Sequence, residues 1–359
     1  MEMSEKLFVG FGLAFIILSV IGKVVFFDSQ LEVGPLTYSI LYITFFVIGL
    51  HCNVKVPSWT WLILSIGIIA TMGWMWLAVW LITAIPLAVY LRIKKKNGTI
   101  VIRNVLILVS VAVFVVLLIC KFIPLLYPGL RFKPLAVLYL ISGYATALAV
   151  SITPSPYLVA YGMILGIVST FRSIIALIFL ACIYRRKYIS WKTIFIAIVA
   201  VLIISLARGL NLHDIILRPA FTYQVYERLY EIGMPFGKLF ILPEPIPGYK
   251  VAALYGSKTR YTYTIFGEAV ADFGVFGLFE AFVLGILVRT LRRLAWAHSF
   301  VLAVLTLSIE LGLDAPKLAV IFLFGFITGN NIYNTFKLPL VKLRVSGSQN
   351  EHNESSRQH

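Results

Sequence analysis

The sequence predicts an all-α polytopic integral membrane protein with about twelve (ten to twelve) transmembrane helices and one long extracytoplasmic loop. Three observations carry that prediction. Of 359 residues, 60% are hydrophobic and only 13% charged, and the mean hydropathy is +0.94. A soluble domain of this length has no way to hide so much apolar side chain, whereas lipid solvates the outer faces of membrane helices. Apolar runs recur along almost the whole chain, so a soluble domain on a single anchor is excluded. The basic residues gather in short clusters between the runs, as cytoplasmic topology signals do.

The runs lie near 7–27, 33–52, 58–91, 101–126, 134–152, 156–184, 192–207, 263–288, 296–313 and 318–336. The first lacks a polar stretch and a small-residue cleavage site, so it reads as a retained span. The run 58–91 is too long for one crossing and is expected to break into two helices near Gly73. The clusters Arg92-Ile-Lys-Lys-Lys96, Arg185-Arg-Lys187 and Arg289-Thr-Leu-Arg-Arg293 all belong to the cytoplasmic side, so an even number of crossings separates any two of them.

Between Lys96 and Arg185 the runs number only three, which breaks that parity. The last of them carries Arg172 in its middle, behind Gly162, Gly166, Ser169 and Thr170. An arginine at the centre of one lipid-bathed helix costs roughly 2.5–3.5 kcal/mol. Splitting the run near residue 171 restores parity and starts a new helix at Arg172, close to the outer face. The halves are short, as expected of a broken helix buried in protein.

Parity places both termini inside and 208–262 outside. Residues 1–345 then form a single membrane domain. The segment 346–359 is polar and aperiodic and reads as a disordered cytoplasmic tail. Within the outer loop, Pro243-Glu-Pro-Ile-Pro-Gly248 is non-helical by its prolines. The stretch 220–232 has Tyr223, Tyr226 and Tyr230 at helical spacing beside Glu227, Arg228 and Glu231, which reads as an amphipathic helix on the outer interface. Its tyrosines fit an interfacial aromatic belt or stacking on sugar faces. No internal repeat supports an inverted-repeat transporter.

The net charge is +16, from 31 Lys and Arg against 15 Asp and Glu. In a soluble chain that imbalance points to nucleic acid; here its placement in short loops assigns it to topology. Cys52, Cys120 and Cys182 have no metal spacing and read as packing residues. No nucleotide-binding loop, nucleophile elbow or haem motif is present, and five scattered histidines make no metal site, so neither cofactor nor metal is expected.

Chemistry must then come from ionisable residues at the outer ends of spans. Arg172 opens one helix and Arg208 closes the next, so both arrive at one membrane depth, with Arg218 and Arg260 further along the loop. Their planar guanidinium groups suit phosphate oxygens, and a diphosphate on a lipid carrier would sit at that depth. Snorkelling to the interface is the plainer role for Arg172. The second constellation is Phe266-Gly-Glu-Ala-Val-Ala-Asp-Phe-Gly-Val-Phe-Gly277. Glu268 and Asp272 are four apart and share a helix face. Two carboxylates in an apolar run either pair with Lys258, Arg260 or the other arginines, or act as a base on a sugar hydroxyl. Gly274 and Gly277 permit close packing. His213 beside Asp214 is a weaker catalytic candidate, Glu310 and Asp314 are reserves, and Lys23 and Glu280 are expected to snorkel or pair internally.

This arrangement resembles the oligosaccharide repeat-unit polymerases of the O-antigen polymerase type. The resemblance rests on the arginine-headed helix at Arg172, the second arginine one span later, and the Gly-Glu-Ala-x-x-Asp-Phe-Gly-x-x-Gly pattern from Gly267 to Gly277, and it covers roughly 160–290. Val270 stands where that pattern often has an aromatic. The resemblance implies polymerisation of polyprenyl-diphosphate-linked oligosaccharide repeat units into a surface polysaccharide, at the outer face of the cell membrane. It implies metal-independent glycosyl transfer like that of the lipid-linked (GT-C type) glycosyltransferases, with membrane lipid as the milieu and a chain-length regulator as a protein partner. Arg172 and Arg208 would hold the donor diphosphate, and Glu268 or Asp272 would orient or deprotonate the acceptor. A ligase for a finished glycan fits the same residues. A flippase for lipid-linked sugars would instead place polar groups near the midplane of both halves, and a scaffold would leave the converging arginines without a role.

Overall fold

The computed structural model describes residues 1–26, 30–185, 199, 212–237, 247–257 and 261–329. Among these residues the regular structure is helical, without a β-strand. In chain order the helices are α1 (Met3–Phe26), α2 (Val33–His51), α3 (Ser58–Thr71), α4 (Trp74–Ile119), α5 (Val137–Ile152), α6 (Pro156–Ser169) and α7 (Arg172–Arg185). They continue with α8 (Leu212–Gly233), α9 (Pro247–Leu254), α10 (Ile265–Phe273), α11 (Gly277–Leu291), α12 (Ala295–Leu311) and α13 (Ala315–Thr328). Among the described residues, 6 segments are long and apolar enough to cross a membrane: α1, α2, the two halves of α4, Pro134–Ile152 and Ile265–Leu291. The apolar helices α3, α6, α12 and α13 are shorter. Apart from residue 199, the expected span 192–207 lies outside the described residues, as does the tail 346–359.

Both expected breaks are present. Gly73 interrupts the first long run with φ of +109°, a conformation that residues with a Cβ rarely adopt. The run through Arg172 breaks at Thr170, which closes α6 in the left-handed conformation with φ of +57° and lets Arg172 open α7. Elsewhere the chain departs from expectation. The basic segment 92–96 lies inside the helical stretch of α4 and not in an open loop. It holds no proline, and lysine, arginine and isoleucine all accept helical geometry. The expected span 263–288 is bent, because a short 3-10 turn at Gly274–Phe276 separates α10 from α11. Of the proline-rich stretch, the described end at Pro247 opens α9, a position where the missing N–H costs nothing.

α12 is the axis of the bundle, buried on nearly every side and packed by α1, α5, α7, α10, α11 and α13. A helix that is apolar all round belongs in such an interior. Hydroxyls tie neighbours together: Tyr184 Oη lies 2.6 Å from Thr306 Oγ1, and Ser110 of α4 bonds Ser142, Thr146 and Tyr161 of α5 and α6. In lipid, apolar contact alone gives helices little reason to associate, so small residues and such bonds set the crossings. The tightest is α2 against α11, where a Cβ at Gly49 or Gly285 would collide with the carbonyl of Phe282 or Phe46.

The tightly packed α2 and α11 run parallel, with Tyr38 near Gly277, Gly49 near Gly285 and His51 near Arg289, and the charges sort into two ends of the bundle. At one end the Arg292 guanidinium grips Glu5 through two bonds of 2.6 Å, and Arg289 binds the His51 carbonyl and Asn53. Arg92 donates to the Phe326 carbonyl at 2.7 Å. The opposite end holds Lys23, Arg172, Arg218, Glu310 and Asp314.

Candidate functional site

At that opposite end, the segment expected as an interfacial helix is α8, and one of its faces is packed against α1, α2 and α10. Tyr223 and Tyr226 are fully buried; Tyr226 Oη donates to the Pro35 carbonyl at 2.7 Å and its ring meets Phe266 at 5.9 Å. Neither tyrosine is available as an interfacial belt or as a sugar platform. Their apolar rings find more burial between α2 and α10 than at an interface. Lys23 of α1 anchors α8 further, with its ammonium 2.6 Å from the Glu227 carboxylate and both side chains buried. Burial pushes the Glu227 carboxyl up, and Lys23 pulls it the other way.

This docking delivers Arg218 to the end of the axial helix, where its guanidinium forms an ion pair with Glu310 of α12. Arg172, at the start of α7, is about half buried and within electrostatic reach of both. One arginine thus pairs with this glutamate, and a second from another helix lies within electrostatic reach of it. Of the other predicted phosphate ligands, Arg208 and Arg260 lie outside the described residues. His213 falls in the first turns of α8, and only its backbone is described.

The turn from α12 to α13 adds a second charged group. Gly312 takes φ of +82°, and Asp314 caps α13 by accepting from the Lys317 backbone N–H at 3.1 Å. The Lys317 ammonium folds back to Asp314 at 2.6 Å and to the Gly312 carbonyl at 3.2 Å. Tyr144 of α5 is within electrostatic reach of this pair.

Glu268 faces the same charges. Thr264 starts α10 by accepting from the Gly267 N–H at 2.9 Å, which puts Glu268 in the first turn, where the helix dipole favours a carboxylate. Glu268 is 4% exposed, within electrostatic reach of Lys317, Asp314, Asp272 and Glu280. Its Oε2 has no hydrogen-bond partner among the described residues. Asp272 lies one turn on and is half-buried. Glu280, expected to snorkel or pair, does neither: both carboxylate oxygens are buried without a hydrogen-bond partner among the described residues. Just past the turn at 274–276, it lies within electrostatic reach of Asp272 and Glu268. Gly274 and Gly277 are packing residues as expected, the latter against Tyr38 and the Ala269 carbonyl.

The structure therefore assembles Arg172, Arg218, Glu310, Asp314, Lys317 and Glu268 from α7, α8, α10, α12 and α13 at one end of the bundle. Sequence reasoning missed Lys317 and Tyr144 and held Glu310 and Asp314 in reserve. A signal for Lys317 exists in its spacing of three from Asp314, between two apolar runs on the side where basic residues are disfavoured.

The family model described as Putative O-antigen polymerase matches residues 3–324. The chain belongs to the O-antigen polymerase family. The match spans both halves of the chain, well beyond the 160–290 stretch whose motifs carry the resemblance. Membership of the O-antigen polymerase family links this multi-pass membrane protein to repeat-unit polymerisation in general and to lipid-linked oligosaccharides as its substrate class. No curated protein and no solved structure matches the chain.

Proposed function

We propose that this O-antigen polymerase family member joins polyprenyl-diphosphate-linked oligosaccharides head to tail at the outer face of the cell membrane, using the charged end of the bundle as its active site. The observation that carries the reading is the meeting of Arg172 and Arg218 beside Glu310, with the buried Glu268 close to the Asp314–Lys317 pair. Arginines suit a diphosphate because they stay charged and bind its oxygens in pairs. Arg218 would exchange its bond to Glu310 for the donor phosphate, next to Arg172, with Arg208 and Arg260 as further ligands from the same loop.

In the step itself, the acceptor hydroxyl oxygen forms a bond to the anomeric carbon of the donor sugar. The bond from that carbon to the diphosphate oxygen breaks, and the lipid diphosphate leaves with the electron pair. The hydroxyl proton passes to the Glu268 carboxylate, whose Oε2 has no hydrogen-bond partner among the described residues. Asp272 orients the acceptor. The arginines and Lys317 balance the charge growing on the leaving group, so the reaction proceeds without a metal ion. A chain-length regulator is the expected protein partner.

The experiment is a sizing gel of surface glycan from a host strain lacking the gene. Single repeat units at the surface in the deletion, and a ladder on rescue with the native chain, support the proposal. If repeat units fail to reach the surface in the deletion, a flippase explains the chain better. An unchanged ladder contradicts both.

A further inference from the structure

The end of the bundle away from the candidate active site carries a cleft of about 270 Å³ between the 53–56 segment and the α11–α12 turn. It is lined by Lys55, Arg289, Arg292 and Arg293, with Asn53 and Val54 among the remaining contacts, and no carboxylate among the described residues lines it. Topology needs only positive charge near the ends of spans; it does not need a concave site. Here the concavity is built. Arg289 donates to the His51 carbonyl at 2.9 Å and to Asn53 Oδ1 at 2.7 Å, which holds the segment after α2 as one wall. Arg292 is fixed on the other side by its two bonds to Glu5. The side chains of Lys55 and Arg293 are exposed at the rim.

The size and lining define the ligand class. The volume falls just below the ~300 Å³ at which pockets for drug-sized ligands begin, so it suits a headgroup and not a whole lipid or a nucleotide. Basic side chains around a polar cleft select a phosphate. Val54 lines the cleft and is exposed, and Ile48 near the end of α2 is exposed as well; such apolar side chains are of the kind acyl chains cover. Basic pockets between membrane helices take anionic lipid headgroups on the same grounds.

We propose that this cleft binds the phosphate of an anionic phospholipid, seated between Arg289, Arg293 and Lys55 with its chains along α2. The site is separate from the candidate active site and its reading does not depend on it. Bound lipid would tie the segment after α2 to the α11–α12 turn and stabilise the fold by mass action.

The test uses the purified full chain in neutral detergent, titrated with phosphatidylglycerol, with phosphatidylcholine of equal chain length, and with inorganic phosphate. Thermal unfolding and bound lipid counted by native mass spectrometry are the readouts. Phosphatidylglycerol should bind and raise the Tm, phosphatidylcholine should do neither at the same concentration, and added salt should weaken the effect. The double variant Lys55→Gln, Arg293→Gln should lose at least tenfold in apparent affinity. Arg293→Lys, which keeps the charge, should retain most of it, as should Arg228→Gln at the other end, and these two guard against a misfolded double variant. Equal stabilisation by phosphatidylcholine, or an undiminished affinity in the double variant, overturns the proposal. A matching response to inorganic phosphate assigns the cleft to free anions and overturns the lipid part.

Discussion

Lys23 and Glu227 lie 2.6 Å apart with side-chain exposures of 4% and 6%, so the pair carries charge into a nearly dry setting. Removing one partner leaves the other buried and uncompensated, which costs about 3–5 kcal/mol, whereas replacing both by apolar residues is often neutral. Glu227→Ala should therefore lower the Tm sharply, and Lys23→Met with Glu227→Leu should recover most of the loss. A Glu227→Ala protein as stable as Arg228→Ala, which breaks only the exposed 2.7 Å pair with Glu231, would contradict the buried-pair account. From its place in an apolar run Lys23 was expected either to snorkel or to pair internally, and the structure shows the pair. Its partner was not legible, because Glu227 is 204 positions away and only the docking of α8 brings it near. Lys317 went unread, and Glu280 was expected to snorkel or pair, for a similar reason. A charge next to a span looks like a snorkelling residue until the turns at 312–314 and 274–276 show which way the chain bends.

Helix crossings explain which glycines matter. At the α2–α11 crossing Gly285 faces the Phe46 carbonyl, so Gly285→Ala should destabilise by about 1–3 kcal/mol through overpacking. Gly67 in α3 has open space around its Cα, so Gly67→Ala should be neutral or stabilising by about 0.5–1 kcal/mol through helix propensity. Comparison of the two Tm values checks both, and equal effects would refute the crossing. The same scale shows where the sequence was readable. The breaks at Gly73 and before Arg172 were legible because a glycine and a misplaced charge interrupt the apolar pattern. The bend at 274–276 was not, since phenylalanine and valine carry the apolar run straight through it. The helical course of α4 through Arg92 was also hidden, because charge signals an aqueous setting without signalling a turn.

Across the whole molecule the charges divide between two ends, and the fold class and candidate end follow from composition and the spacing of basic clusters. The assignment of ends to sides is testable by single cysteines in a chain whose three native cysteines are replaced. A cysteine at Gly129, in the turn before α5, should react with a membrane-impermeant maleimide in intact cells, and one at Val54 only after permeabilisation. Reactivity in the reverse order would put the candidate site in the cytoplasm and defeat the proposed use of an exported substrate. The central claim, that this charged end joins lipid-linked repeat units, is tested most directly with purified protein in nanodiscs supplied with lipid-linked repeat units alone. The native chain and Arg228→Gln should build a ladder. Arg172→Ala and Glu268→Gln should each lose at least a hundredfold in rate, in the range that general-base and electrostatic catalysis contribute, while remaining folded by Tm. Ladders of native length and rate from both variants would contradict the account.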